Sequence, residues 1–313
     1  MKALIIGAAG FVGGYLIEEL SSAGWEVHAT CLENERIDGR CTVHNLDITD
    51  KASITAVLNS VMPDIIYHLA AQSSVAVSWK KPQLTAEVNV IGSINLLEAL
   101  REAEKKDMRT VLIGSGEEYG FIRQGACPLS EDEVLRPGNI YAATKACQGM
   151  LGEIYARAYK LDIVMVRAFN HSGPNQADIF VISDFCRQAA EIEAGLREPV
   201  ISVGNLEAMR DFTDVRDVVR AYRLLGEKGR SGETYNVGRG KAVKIRYILD
   251  TVLKFAEKEI TVECDPKRMR ASDIPIIEPD VSKIYADTGW KAEISMEQTI
   301  EDTLNNWRTK LKE

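Results

Sequence analysis

Tyr141 and Lys145 are the residues of this 313-residue sequence whose types and spacing most directly suggest chemistry. They lie four positions apart in a predicted helix, so their side chains share one face and can meet one substrate. A phenol normally has a pKa of about 10, but a neighbouring ammonium group favours its ionised form. With Ser115 orienting a substrate oxygen, the set predicts proton exchange by Tyr141 coupled to hydride transfer. Either Tyr141 or Lys145 alone would also fit an ordinary surface helix.

A glycine-rich turn near the N-terminus provides the element that such a reaction needs for its cofactor. Gly7, Gly10 and Gly13 form a GxxGxxG pattern between the first predicted strand and the first predicted helix. Glycines in that setting let the chain turn tightly and let a pyrophosphate approach the positive end of the helix. The pattern therefore predicts a dinucleotide site, although glycines also serve turns that bind no ligand.

The end of the second predicted strand should distinguish NADH from NADPH. A carboxylate there would bind the free 2′-hydroxyl of the adenosine ribose, and a basic residue would bind a 2′-phosphate. Here the strand ends at Cys31 and Leu32, which supply neither signal. The missing carboxylate favours NADPH slightly, with NADH as the alternative. Asp47 and Ile48 are candidates for holding the adenine, but Asp47 could equally cap a helix near Thr49.

The first half of the chain alternates short apolar runs with longer segments of helical periodicity, which predicts an α/β protein with a doubly wound parallel Rossmann sheet. The predicted strands are Lys2–Ile6, Glu26–Cys31, Thr42–Leu46, Asp64–Leu69, Arg109–Gly114 and Asp162–Ala168, and the predicted helices are Val12–Ala23, Ile54–Val61, Ala86–Glu104 and Ile140–Tyr159. The alternation loosens after Pro174. We therefore predict a cofactor domain over residues 1–170 and a smaller C-terminal α/β substrate lobe over 171–313, parts of which could return to the sheet.

Composition excludes several other classes of protein. The net charge of −8 argues against nucleic acid as the main partner, and no apolar run is long enough to span a membrane. The six cysteines are scattered without metal-ligand spacing, so we expect free thiols and no metal site. The first residues enter a strand and a glycine turn at once, leaving no room for a secretion signal. These features predict a cytoplasmic protein.

Several separated motifs resemble those of one enzyme family. GAAGFVG at Gly7–Gly13, HLAAQ at His68–Gln72, the segment around Asn89 and YAATK at Tyr141–Lys145 resemble the extended short-chain dehydrogenases. AAQSSVAVSW from Ala70 and VGNLEAMRDFTDVRD from Val203 resemble the GDP-mannose 4,6-dehydratases and GDP-4-keto-6-deoxy-mannose reductases. RAFNHSGPNQ from Arg167 and DPKRMRASD from Asp265 are more similar to the reductases. The resemblance covers essentially the whole chain.

This resemblance implies a homodimer and roles for further residues around a bound GDP-sugar. The diphosphate would be held by arginines, because the planar guanidinium suits phosphate oxygens. The implied cofactor contacts include Phe11, Val12, Leu69, Ala70, Ala71, Tyr141 and Lys145. The implied substrate contacts are Ser115, Glu117, Asn170, Val181 near the guanine, Arg210, Arg270 and, more weakly supported, Arg187. Surface salt bridges are the alternative explanation for the three arginines.

One position helps to choose between the two branches of the resemblance. A dehydratase needs acid and base groups beyond the Tyr, which in that branch follow the strand as a Thr, a small polar or acidic residue and a Glu. Here the run is Ser115, Gly116 and Glu117, so one proton-handling group is missing and Glu117 is retained. The leading hypothesis is reduction of GDP-4-keto-6-deoxy-D-mannose to GDP-D-rhamnose with NAD(P)H. A GDP-mannose 4,6-dehydratase, a nucleotide-sugar 4-epimerase and a non-catalytic dinucleotide sensor are the alternatives.

Overall fold

The computed structural model describes residues 1–123, 125–268 and 276–312. The first part of the chain alternates strands and helices as its periodicity predicts. Its strands are β1 (Lys2–Ile6), β2 (Glu26–Cys31), β3 (Thr42–Asn45), β4 (Ile65–His68), β5 (Arg109–Ser115) and β6 (Ile163–Ala168). Its helices are α1 (Phe11–Ser22), α2 (Lys51–Val61), α3 (Val75–Lys80), α4 (Pro82–Ala86), α5 (Gly92–Glu102) and α6 (Ile140–Tyr159).

The later part contains shorter strands and the helices of the second lobe. The strands are β7 (Asn170–Ser172), β8 (Val200–Val203), β9 (Met209–Asp214), β10 (Thr234–Val237), β11 (Ala242–Lys244), β12 (Thr261–Cys264) and β13 (Ile276–Ile277). The helices are α7 (Val181–Glu193), α8 (Val215–Lys228), α9 (Ile245–Phe255), α10 (Ser282–Thr288) and α11 (Met296–Lys310).

The central sheet explains where a ligand can bind. Within the described residues it has seven strands, all parallel, in the order β10-β6-β5-β4-β1-β2-β3. The order reverses between β1 and β4, and such a switch point opens a crevice at the carboxyl ends of the strands. Apolar side chains such as Ile5 and Leu4 point to opposite faces, and both are fully buried under helices. The predicted doubly wound α/β fold is confirmed.

The chain after residue 170 contributes to both lobes. Strand β10 pairs with β6 at the edge of the central sheet, and α8 and α10 pack against that sheet. The second lobe has a sheet of β7, β9, β11 and β13, a β8–β12 pair, and a separate core with α7, α9 and α11. The division at residue 170 remains a prediction.

One predicted helix differs in its interior. The segment predicted as Ala86–Glu104 consists of the end of α4, a π-helical turn over Glu87–Ile91, and α5. The π-helical turn contains Asn89, whose buried side chain accepts a hydrogen bond from Gln72 N at 2.8 Å. Its amide also donates to Thr144 Oγ1 at 2.9 Å. Such turns are rare and concentrate at functional sites, and helical periodicity alone does not reveal them.

The cysteines and the helices bear on two expectations from composition. All six cysteines are free thiols. In the described part of the chain, every helix is too short or too polar to cross a bilayer.

Candidate active site

A cleft of about 1130 Å³ lies at the carboxyl edge of the central sheet and is lined by residues of both lobes. All of the site residues predicted from the sequence line this cleft, with the exception of Arg270, which lies outside the described residues. The structure therefore brings the predicted cofactor, catalytic and substrate residues together around one cavity. Their individual roles remain predictions.

The glycine turn has the close packing that a dinucleotide site requires. Gly7 has a φ of +83°, and a Cβ there would lie 2.5 Å from Ala70 Cα. A Cβ on Gly13 would lie 2.0 Å from the carbonyl oxygen of Ala8. Helix α1 then begins at Phe11 with no side-chain cap on its first N–H groups. Uncapped N–H groups and the helix dipole together favour an anion at this end of the cleft.

The part of the cleft near the end of β2 contains a carboxylate that the strand pattern did not predict. Glu35 lines the cleft beside Cys31 and Leu32, and its Oε2 accepts a hydrogen bond from Leu32 N at 3.0 Å. In dinucleotide-binding folds this acid is expected at the end of the second strand, whereas here Glu35 lies in the loop that follows β2. Among the described cleft residues, the Lys and Arg side chains are Lys145, Arg187, Arg210 and Arg268, so this loop contributes none.

Asp47 and Ile48 also line this end of the cleft. Asp47 Oδ1 accepts hydrogen bonds from Thr49 N at 2.9 Å and Thr49 Oγ1 at 2.7 Å. The helix cap that the sequence left open is provided by Asp50, whose side chain accepts from Ala52 N. Asp47 therefore shapes the turn after β3 and stays available at the cleft wall.

Ser115, Tyr141 and Lys145 all line the cleft. Burial raises the pKa of Tyr141 to about 12, although a hydrogen bond with Ser115 lowers it. The shift is opposite to the one expected from a neighbouring ammonium, because loss of water and the charges of Glu118 and Glu117 all raise the pKa. The phenol consequently stays protonated near neutral pH, which is the form that can donate a proton to a ketone oxygen.

The ammonium group of Lys145 is buried and fixed by two hydrogen bonds. Its Nζ donates to Ile113 O at 2.7 Å and to Gln148 Oε1 at 3.0 Å. Burial lowers the pKa of Lys145 to about 8. A lysine with this pKa remains mostly charged at neutral pH and loses its charge under mildly alkaline conditions.

Gly116 and Glu117 occupy different environments at the end of β5. A Cβ on Gly116 would lie 3.0 Å from the Phe169 ring, so a larger residue would have to displace that ring. Glu117 lines the cleft, and its Oε2 accepts a hydrogen bond from Asn139 Nδ2 at 3.2 Å. The structure thus gives a packing reason for Gly116 and keeps Glu117 within the site.

Arg187 and Arg210 reach the cleft from different elements, α7 and β9. Arg187 forms ion pairs with Asp178, Asp184 and Glu191 at N–O distances of 2.5–3.2 Å. Its charge is therefore already compensated. Arg210 lines the cleft from β9, and its Nη1 donates to the carbonyl oxygen of Met209 at 2.8 Å.

Asn170 and Val181 line the same side of the cleft. Arg268, which sequence reasoning missed, lies there as well and forms an ion pair with Asp184. It belongs to the segment from Asp265 that resembles the reductases, in which Arg270 was the predicted substrate residue. The two positions are close in sequence, and only the tertiary structure places Arg268 on the cleft wall.

The family model described as GDP-mannose 4,6 dehydratase matches residues 4–303 of this chain. The chain belongs to the GDP-mannose 4,6 dehydratase family. The predicted family is confirmed, and the protein is an enzyme of the extended short-chain dehydrogenase kind.

The relatives of this chain include a reductase and a dehydratase. The GDP-6-deoxy-D-mannose reductase of Pseudomonas aeruginosa is 31% identical, over 100% of this chain and 99% of its own length. A GDP-mannose 4,6-dehydratase of Vibrio cholerae is 28% identical, over 95% of this chain and 91% of its own length.

Solved structures of related enzymes cover the chain equally well. The structure of RMD from Pseudomonas aeruginosa complexed with NADPH has a TM-score of 0.88 at 30% identity, covering 99% of this chain and 100% of that one. A UDP-glucose 4-epimerase of Thermotoga maritima with UDP-glucose has a TM-score of 0.87 at 28% identity, covering 99% and 100%.

Proposed function

We propose that this enzyme reduces the 4-keto group of GDP-4-keto-6-deoxy-D-mannose to give GDP-D-rhamnose, with NADPH as the hydride donor. The observation that carries the proposal is the hydrogen bond between Tyr141 and Ser115, in a site where Gly116 packs against the Phe169 ring. That packing leaves no proton-handling side chain at residue 116. The reductase relative from Pseudomonas aeruginosa and the NADPH in the related structure support the same assignment.

Each residue has a defined task in this reaction. Ser115 orients the substrate ketone, and Tyr141 gives its phenolic proton to the oxygen as it becomes a hydroxyl. The reduced nicotinamide, when bound, supplies the hydride for C4. The Lys145 ammonium stabilises the phenolate that remains on Tyr141. The glycine turn from Gly7 fits the pyrophosphate through its close backbone packing and the uncapped start of α1.

The GDP part of the substrate is assigned to the second lobe. Arg210 would bind the diphosphate, since charged hydrogen bonds from a guanidinium suit phosphate oxygens. Asn170 would donate to the sugar or its phosphates, and the backbone at the start of α7, near Val181, would hold the guanine. Arg210, Asn170 and Val181 line the same cleft as Tyr141, which supports this assignment.

A GDP-mannose 4,6-dehydratase is the second candidate, because Glu117 is retained at the cleft wall. The two activities differ in their use of cofactor. The protein should be mixed with NADPH or NADH and GDP-4-keto-6-deoxy-D-mannose, while the absorbance of the reduced nicotinamide is followed. We expect stoichiometric loss of absorbance and a GDP-deoxyhexose product. No loss, together with conversion of GDP-mannose to a 4-keto product, would establish the dehydratase instead.

Glu35 should influence the choice between the two cofactors. Its carboxylate lies beside Leu32 at the ribose end of the cleft, where it would repel a 2′-phosphate and accept from a 2′-hydroxyl. Glu35→Gln should therefore raise the affinity for NADPH relative to NADH by about tenfold. Fluorescence titration of each reduced cofactor without sugar measures this ratio. Glu33→Gln is the control, and an unchanged ratio in Glu35→Gln would exclude this role.

We also propose that the enzyme is a homodimer. Large apolar side chains remain exposed on the π-helical turn and α6, with Ile91, Met150 and Ile154 about half exposed. Clustered apolar surface of this kind is typical of an interface between subunits. Sedimentation equilibrium should give twice the chain mass of 34.7 kDa, and replacing Ile154 and Met150 by Asp should give a monomer. A monomeric wild-type protein would refute the proposal.

A cytoplasmic location completes the proposal. Six free thiols persist most readily in a reducing compartment. Fractionation of cells that carry the tagged protein should place it in the cytoplasmic fraction, and recovery from another compartment would contradict this.

A further inference from the structure

A buried carboxylate that the proposed reaction does not use lies directly under the active site. Glu118 is only 2% exposed. Its Oε1 accepts a hydrogen bond from Ser115 N at 2.7 Å, and its Oε2 lies 3.2 Å from Arg167 Nε. A Cβ on Gly114 would lie 2.3 Å from Oε1, so the glycine makes room for this carboxylate. Residues of β5 and β6 thus surround the Glu118 carboxylate.

We propose that Glu118 is a positioning residue that fixes Ser115 through its backbone and whose negative charge offsets the positive charge of Lys145. This inference rests on the proposed reductase function. It assigns Glu118 no contact with substrate, since it acts through two residues that line the cleft.

The positioning role follows from the hydrogen bonds at the end of β5. Ser115 ends the strand, and its Oγ accepts from Glu117 N at 3.2 Å. The Glu118 side chain accepts a hydrogen bond from Ser115 N. The backbone and the side chain of Ser115 are therefore both fixed by the turn that follows it. This reciprocal arrangement is a capping box, which holds the first turn of a helix in one geometry. The hydroxyl of Ser115 therefore faces the cleft in a defined position.

The charge role rests on the proximity of Glu118 to Lys145. Lys145 Nζ donates to Ile113 O, and the Glu118 carboxylate accepts from Ser115 N two residues further along the same strand. From its own helix, Lys145 is faced by Tyr141 and Gln148. The other groups near Lys145 and Tyr141 are His68 on β4, Glu117 and Glu118 after β5, Arg167 on β6 and Tyr222 on α8.

These groups contribute unequally. Burial lowers the pKa of His68 to about 3 and raises the pKa of Tyr222, so both are neutral over the working range. Burial also lowers the pKa of Lys145, and the charge of Glu118 opposes that effect. The same charge raises the pKa of Tyr141. Burial raises the pKa of Glu118 as well, and its ion pair with Arg167 opposes that rise. In its charged form Glu118 favours the charged amine and the protonated phenol together.

The sign of the pH effect follows from these directions. Without the negative charge of Glu118, the pKa values of Lys145 and Tyr141 both fall. Ketone reduction needs the protonated forms, so its rate is lost as the pH rises through these values. The alkaline limb of the pH profile should therefore move to lower pH in a variant that lacks the charge.

The test compares Glu118→Gln, Glu118→Asp and the double variant Glu118→Gln with Arg167→Gln. We expect Glu118→Gln to lower kcat by about tenfold to a hundredfold with little change in KM, and to move the alkaline limb down by about one pH unit. Glu118→Asp restores the charge and should return the limb towards its wild-type position. The double variant removes both members of the buried pair, so it keeps the test valid if Glu118→Gln alone does not fold.

A second readout needs neither sugar nor cofactor. The pKa of Lys145 can be measured by NMR on lysine labelled with ¹³C at Cε, with the signal assigned through Lys145→Arg. A fall of about one unit in the double variant supports the proposal even if the sugar substrate has been misassigned. An unchanged Lys145 pKa and an unmoved pH profile, with only a loss of thermal stability, would reduce Glu118 to a structural residue and overturn the proposal.

Discussion

Replacing Tyr141 by Phe should lower kcat by about 10²- to 10⁴-fold, the usual contribution of a positioned general acid. The substitution keeps the ring and removes the hydroxyl, so the cavity around it stays filled. Burial keeps this phenol protonated, with a pKa of about 12, which makes it the proton donor for the ketone. Because Tyr141 is not needed to hold the pyrophosphate, the variant should still bind NADPH. Stopped-flow turnover and fluorescence titration of the cofactor separate these two effects.

Tyr155→Phe provides a matched control on the same helix. Its hydroxyl donates to Glu98 at 2.6 Å, away from the residues that line the cleft. This variant should turn over at the wild-type rate. Retention of most activity in Tyr141→Phe would remove Tyr141 from the mechanism, and loss of cofactor binding would show that the substitution had disturbed the whole site.

Replacing Arg210 by Ala should raise KM for the GDP-sugar by about ten- to a hundredfold, because a hydrogen bond to a charged group contributes roughly 1.5–3 kcal/mol. The expected change in kcat is smaller, since the proposed role of Arg210 is to bind the diphosphate and not the reacting ketone. Steady-state kinetics over a range of sugar concentrations distinguish the two constants. The effect should weaken at high salt if it is electrostatic.

Two further variants show whether the effect belongs to Arg210. Lys244→Ala removes a positive charge from the neighbouring strand, where the lysine pairs with Glu207, and should leave KM unchanged. Arg187→Ala should raise KM less than Arg210→Ala, because three carboxylates already surround Arg187. Equal KM values for wild type and Arg210→Ala would move the diphosphate site to Arg268 or Arg270.

The parts of this site that could be predicted depend on short stretches of chain. The GxxGxxG turn from Gly7 and the four-residue interval between Tyr141 and Lys145 are local patterns, and local patterns constrain the backbone directly. For the same reason six strands of the central sheet were placed to within about one residue of their observed ends, whereas β10, which joins the sheet from far along the chain, was not predicted. The interior of the predicted Ala86–Glu104 helix was wrong, because its π-helical turn accompanies contacts of Asn89 with residues distant in sequence.

The sequence by itself determined the α/β fold, the family, the glycine turn and the spacing of Tyr141 and Lys145. Only the tertiary structure decided their electrostatic states, because these depend on neighbours brought together from far along the chain. Glu118 meets Arg167 from 49 positions away, and Arg268 meets Asp184 from 84. Likewise, the protonated state of Tyr141 follows from burial, which no local spacing specifies. Hydrophobic periodicity indicates which face of a helix or strand is buried, but it does not indicate which charged groups contact that face.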